Sequence, residues 1–81
     1  MTNLEKLKEL VLDTFLLDAS EFRYDLLRND VETWDSLGVV SFAVGIEQTF
    51  GYHMTPEEAV GITGLPATIS LLKSKGVSFD E

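Results

Sequence analysis

Residues 35–51 read Asp-Ser-Leu-Gly-Val-Val-Ser-Phe-Ala-Val-Gly-Ile-Glu-Gln-Thr-Phe-Gly: a polar cap, an apolar stretch and a glycine stop. Asp35 suits a helix N-cap, because its carboxylate can accept hydrogen bonds from backbone donors that have no partner in the first turn. Leu37, Val40, Val44 and the Ala43/Ile46 pair recur at helical spacing and make a wide apolar stripe, with Leu37 as its first core contact. Phe50 is followed by Gly51, the residue type favoured just past a helix end. The spacing predicts a helix over about residues 36–50. Gly38 and Gly45 lie inside it, each costing up to about 1 kcal/mol relative to Ala, so tertiary packing must hold the helix, and the glycines leave space beside it.

Working outward, Thr2-Asn3-Leu4-Glu5 fits a capping box. Leu4, Leu7, Val11 and Phe15 follow at helical spacing, which predicts a first helix over about residues 3–17. Residues 18–34 read as a long loop whose apolar side chains, Phe22, Tyr24, Leu26, Leu27, Val31 and Trp34, pack across the other elements, with a short helical turn near 21–28. Thr55-Pro56-Glu57-Glu58 is a second capping box, with Pro at the first helical position, and Gly61 and Gly64 hold that helix to one or two turns. Thr63 is the expected cap of a last helix, with Pro66 in its first turn, Leu65, Ile69 and Leu72 on its inner face, and Gly76 at its end. No alternating pattern of period two is sustained. The fold class is all-α: a small four-helix bundle, three helices long and one short, with a long loop between the first two, forming one domain over residues 1–81.

Composition narrows the function. Without cysteine there is no disulfide framework, thiolate metal site or cysteine nucleophile. One histidine, His53, cannot build a metal cluster alone, and Asp30, Glu32 and Asp35 do not fit a twelve-residue calcium loop, so no metal site is expected. Fourteen acids against six bases give a formal charge of −8, which argues against nucleic acid and anionic membranes as partners. No apolar run approaches the roughly 18 residues of a membrane span, and the N-terminus lacks the apolar core of a signal peptide, so a soluble cytoplasmic protein is expected. Between residues 30 and 58 the chain holds Asp30, Glu32, Asp35, Glu47, Glu57 and Glu58 with no Lys or Arg. That segment reads either as a solvated acidic surface or as a docking face for basic partners.

A serine at a helix start is ordinarily a cap. Here Asp35 can already fill that role, which leaves Ser36 at the first helical position with its hydroxyl outward, beside the positive end of the helix dipole, a place that suits a phosphate ester. A serine nucleophile would need a base, and His53 lies beyond the helix-ending Gly51 with nothing marking an oxyanion hole. Neither Gly-rich phosphate-loop pattern occurs. No catalytic residue is expected.

At Asp35-Ser36-Leu37, followed by Gly38 and the stripe ending Ile46-Glu47-Gln48-Thr49-Phe50-Gly51, and again through Pro56-Glu57-Glu58-Ala59 and Ile62-Thr63, the chain resembles the acyl carrier proteins. The resemblance covers nearly the whole chain. It implies a carrier without chemistry of its own, in which Ser36 bears 4′-phosphopantetheine transferred from coenzyme A by a Mg²⁺-dependent phosphopantetheinyl transferase, so that the reactive sulfur missing from the sequence comes from the cofactor. By the same resemblance, Asp35 and Leu37 serve transferase recognition, and Gly38, Val39, Ser41 and Glu47 meet acyl-loading, condensing and acyl-transferring enzymes with basic docking patches. Val40, Phe42, Ala43, Ile46, Ala59, Ile62 and Ile69 are the candidates to line an acyl cavity. For Val39 and Phe42 the alternative is the edge of a broad core stripe, and for the cavity residues it is ordinary core packing.

Gly38 and Ser41 stand where fatty-acid carriers commonly have acidic residues, and Trp34 before the Asp-Ser pair is more like specialised stand-alone carriers. A discrete, monomeric carrier for a dedicated polyketide, lipid or unusual acyl pathway is therefore expected. A housekeeping fatty-acid carrier, a stand-alone aminoacyl or peptidyl carrier, and an unmodified helical adaptor are the alternatives.

Overall fold

The computed structural model describes residues 2–79. Four helices follow in order: α1 (Asn3–Phe15), α2 (Ser36–Phe50), α3 (Pro56–Gly61) and α4 (Leu65–Ser74). Three are long and one is short, as the sequence predicts, and no strand forms among the described residues. Helix α1 packs on α2, and α2 on α3.

Both predicted capping boxes form, with Thr2 and Glu5 opening α1 and Thr55 and Glu58 opening α3. Leu7, Val11 and Phe15, spaced four apart, put one stripe of α1 fully into the core. Helix α1 stops two residues short of the expected end. Leu16 adopts a left-handed conformation with φ of 57°, and Leu17 N–H turns back to the Leu12 carbonyl at 3.1 Å. The run of leucines conceals this turn from the sequence, because the usual glycine is missing.

The long loop carries two short 3-10 turns, at Ala19–Glu21 and Arg28–Asp30, flanking the single turn expected near 21–28. Its second half has a structural job at the start of α4. Leu65 N–H donates to the Leu26 carbonyl at 2.8 Å, and Arg28 N–H donates to the Thr63 carbonyl at 2.7 Å. Thr63 is therefore not the cap of α4; Gly64 holds that position without a side-chain bond, and loop backbone satisfies the first helical donor. A Cβ on Gly64 would lie 2.6 Å from the Leu26 carbonyl oxygen, so this close approach needs glycine. Leu65, Thr68 and Leu72 form the buried face of α4, Thr68 donating its hydroxyl to the Gly64 carbonyl at 2.9 Å, while Ile69 is half-buried against the core.

Helix α2 matches its predicted ends, with Asp35 accepting from Gly38 N–H and Gly51 left-handed at φ 75°. Its orientation matches only in part: of the expected stripe, Ile46 is buried and Ala43 half-buried against the core. Val39, Phe42 and Ile46 face the core, whereas Leu37 is 79% exposed, Val40 61% and Val44 51%. Leu37, Val40 and Val44 of the expected stripe thus face outward, and Val39 and Phe42 take their place in the core. From Leu37 to Ile46 the only polar side chain is Ser41, which gives the pattern little to discriminate, and packing against α1 and the loop selects the Val39/Phe42/Ile46 face.

Candidate functional site

The end of α1 builds the start of α2. Trp34 stacks on Phe15 with ring centroids 4.6 Å apart, and Phe42 packs on both rings. The Thr33 hydroxyl donates to the Phe15 carbonyl at 2.7 Å. Gly38 closes the arrangement, since a Cβ there would lie 2.3 Å from the Thr33 carbonyl oxygen and 3.2 Å from the Phe15 ring. An acidic side chain at this position would clash with a carbonyl oxygen. Gly38 is accordingly half-buried and serves this close packing, which corrects its expected place on an exposed partner face.

Asp35 Oδ1 accepts from Gly38 N–H at 2.9 Å and so caps α2. Ser36 follows at the first helical position, exposed, and its hydroxyl makes no hydrogen bond among the described residues. The cap and the presented hydroxyl are thus divided between two adjacent side chains. His53 is no base for Ser36. It lies beyond the other end of α2, a helix length of about 20 Å away, with Nδ1 2.8 Å from Glu47 Oε1.

Ser36 lines a cleft of about 320 Å³ between α2 and α3, together with Arg28, Val39, Val40, Pro56, Ala59 and Val60. A second cleft of about 240 Å³ shares Val40, Pro56 and Ala59 with the first and continues to Ala43, Val44, Met54, Glu47 and His53. The two make one mostly apolar furrow along α2, from Ser36 to the Glu47–His53 pair.

Of the expected cavity residues, Val40, Ala43 and Ala59 line this furrow. Ile62 borders a separate depression with Glu58 and Leu71. Phe42 and Ile46 are core, at 2% and 0% exposure, and Ile69 packs on the core, so these three are corrected to the packing alternative. Val39, expected to face partners, is likewise buried; only its edge reaches the cleft. Leu37, expected as a core contact, is among the most exposed apolar residues, and Ser41 and Glu47 are exposed as expected. Sequence reasoning missed Arg28, Val60 and Met54 as lining residues. The loop brings Arg28 to the site through backbone bonds that no side-chain pattern encodes.

The acidic segment is only partly free. Glu58 accepts from the Tyr52 hydroxyl at 2.5 Å, and Asp30 accepts from Leu27 N–H and pairs with Arg23. Glu32, Asp35, Glu47 and Glu57 are exposed. No group of acids and histidine among the described residues is arranged to hold a metal ion, and no helix there is long and apolar enough to cross a membrane.

Fold and site together define a small helical bundle that presents one unengaged serine at the start of its second helix. The chain is 36% identical over 72 residues to polyketide-8 synthase acyl carrier protein 2 of Streptomyces avermitilis, covering 88% of this chain and 82% of that protein. It is 32% identical over 71 residues to an acyl carrier protein of Petrotoga mobilis, covering 88% and 84%, and 31% identical over 75 residues to one of Solidesulfovibrio magneticus, covering 93% and 96%. No family model and no solved structure matches the chain. The chain belongs to the acyl carrier protein family.

Proposed function

We propose that this protein carries acyl groups as thioesters on a 4′-phosphopantetheine group attached to Ser36. The observation that carries the reading is the hydroxyl of Ser36: exposed, without a hydrogen-bond partner among the described residues, and relieved of capping by Asp35. When bound, the group supplies the terminal thiol that a cysteine-free chain lacks. In the attachment step Ser36 Oγ forms the new bond to phosphorus as the bond to the adenosine bisphosphate half of coenzyme A breaks. The serine proton passes to a base of the transferase, because His53 is at the far end of α2.

Leu37 beside Ser36 supports a role in transferase recognition, with Asp35 fixing the turn that presents both. Leu37, Val40, Ser41, Val44 and Glu47 form the exposed face of α2 offered to acyl-loading, condensing and acyl-transferring enzymes. Glu47 on this face and Asp35 at the start of the helix favour partners with basic rims. Val40, Ala43 and Ala59 line the furrow that would shelter an acyl chain. We place the protein in a specialised pathway, acting in the cytoplasm as a single monomeric domain. The name of the Streptomyces avermitilis relative and the Trp34/Gly38 departure support that placement over housekeeping fatty-acid synthesis. Incubation with coenzyme A, Mg²⁺ and a broad-specificity phosphopantetheinyl transferase should add one phosphopantetheine mass to the intact chain. No addition with several such transferases would favour an unmodified helical adaptor.

A further inference from the structure

We infer, resting on the reading above, that Arg28 binds the phosphodiester formed at Ser36 and thereby directs the arm into the furrow between α2 and α3. Arg28 and Ser36 line the same cleft. Arg28 is the last base before Lys73, so no other Lys or Arg occurs in the chain from residue 29 to residue 72.

The residue is half-buried and held at two points, one on its backbone and one on its side chain. Its N–H is tied to the Thr63 carbonyl at 2.7 Å, and its Nε donates to the Trp34 carbonyl at 3.0 Å. These bonds use the backbone donor and one of the five guanidinium donors, and leave the terminal N–H groups without a partner among the described residues. Arg28 makes no ion pair among the described residues, although the chain holds fourteen acids, whereas Arg23 is paired twice. A guanidinium pre-positioned in this way matches two oxygens of a phosphate. Asp35, adjacent to Ser36, would otherwise repel the new negative charge. Beyond Arg28 the walls turn apolar with Val40, Pro56, Ala59 and Val60, so an arm pinned at its phosphate enters the furrow instead of extending into solvent.

The test uses the full chain in its apo form and after enzymatic attachment of phosphopantetheine. In the wild type, the Nε–H signal of Arg28 should shift on conversion from apo to holo while that of Arg23 stays in place, and the phosphodiester ³¹P signal of folded holo-protein should differ from that of urea-denatured holo-protein. Arg28→Gln should move the folded ³¹P signal more than halfway to the denatured position, and Arg28→Lys less than halfway. Fluorescence of Trp34 reports whether each variant keeps its fold, and the wild-type shifts decide the matter if a variant does not. An unmoved Arg28 signal, or a ³¹P position identical in wild type and a folded Arg28→Gln, overturns the inference and leaves the carrier reading standing. Absence of any attachment to Ser36 overturns the carrier reading itself and this inference with it.

Discussion

The Thr33 hydroxyl donates a 2.7 Å hydrogen bond to the carbonyl oxygen of Phe15, joining the end of α1 to the residues that begin α2. This bond satisfies a carbonyl in the last turn of α1, just before the chain turns left-handed at Leu16. It also fixes the carbonyl of Thr33 against Gly38, and so the turn that presents Ser36.

Thr33→Val keeps the shape of the side chain and removes the donor. A part-buried carbonyl left without its partner costs about 1–3 kcal/mol, and urea unfolding followed by Trp34 fluorescence should show a lowered midpoint with unchanged slope. Full wild-type stability would mean that the Trp34–Phe15 stack alone seats α2.

Gly38 and Gly61 should respond oppositely to alanine. Helix propensity alone makes Gly→Ala favourable by up to about 1 kcal/mol. Nothing lies within 4 Å of a Cβ built on Gly61, so Gly61→Ala should stabilise. At Gly38 the Cβ would meet backbone oxygen at 2.3 Å, and overpacking of this kind costs about 1–3 kcal/mol. Thermal unfolding of the two variants side by side separates the effects, and a stabilising Gly38→Ala would refute the close packing described at that turn.

The Tyr52–Glu58 pair gives a pH dependence of known sign. The Tyr52 hydroxyl, followed by the Thr55 backbone donor, holds the Glu58 carboxyl below its ordinary value, and the same bond to Glu58, with some burial, raises the Tyr52 phenol. A depressed carboxyl contributes stability that is present above its unfolded value and lost as pH falls through the folded one; a raised phenol contributes stability lost as pH rises through its folded value. The Glu58 contribution should therefore fade on the acid side of the usual carboxylate range. Tyr52→Phe should move the Glu58 titration, followed by carboxyl NMR, back upward. A titration unchanged by Tyr52→Phe would show that the Thr55 contact suffices.

The exposed face of α2 should matter to partners without mattering to the fold. Leu37→Ala and Val40→Ala change stability by no more than about 0.5 kcal/mol, but Leu37→Ala should slow phosphopantetheine transfer by roughly tenfold, as loss of an interface anchor does. The rate should also fall as salt rises, because screening shortens the reach of the exposed acids to about 8 Å at physiological ionic strength. Measuring initial rates across a salt series checks both, and salt-independent rates would assign docking to the apolar face alone.

Most of this architecture is legible in the residues. Capping boxes, the Asp35 cap and the glycine after Phe50 mark helix ends because each supplies a specific backbone partner or conformation. The facing of α2 is legible only at Ile46 and Ala43, since Leu37, Val39, Val40, Phe42 and Val44 are all apolar and only packing against Phe15 and Trp34 chooses among them. The end of α1 is hidden for a related reason: Leu16 takes a left-handed conformation that its chemistry does not announce. Ser36 could be singled out because Asp35 makes it redundant as a cap. Arg28 could not, because it reaches the cleft through long-range backbone bonds from the loop to the α3–α4 junction.

The central claim rests on one hydroxyl. Wild-type protein and Ser36→Ala, each treated with coenzyme A, Mg²⁺ and transferase, should be digested and their peptides fragmented. The account predicts a phosphopantetheine mass on the wild-type peptide at Ser36 and none anywhere in Ser36→Ala. A modification that persists in Ser36→Ala, or maps to Ser41 or another residue, would contradict it.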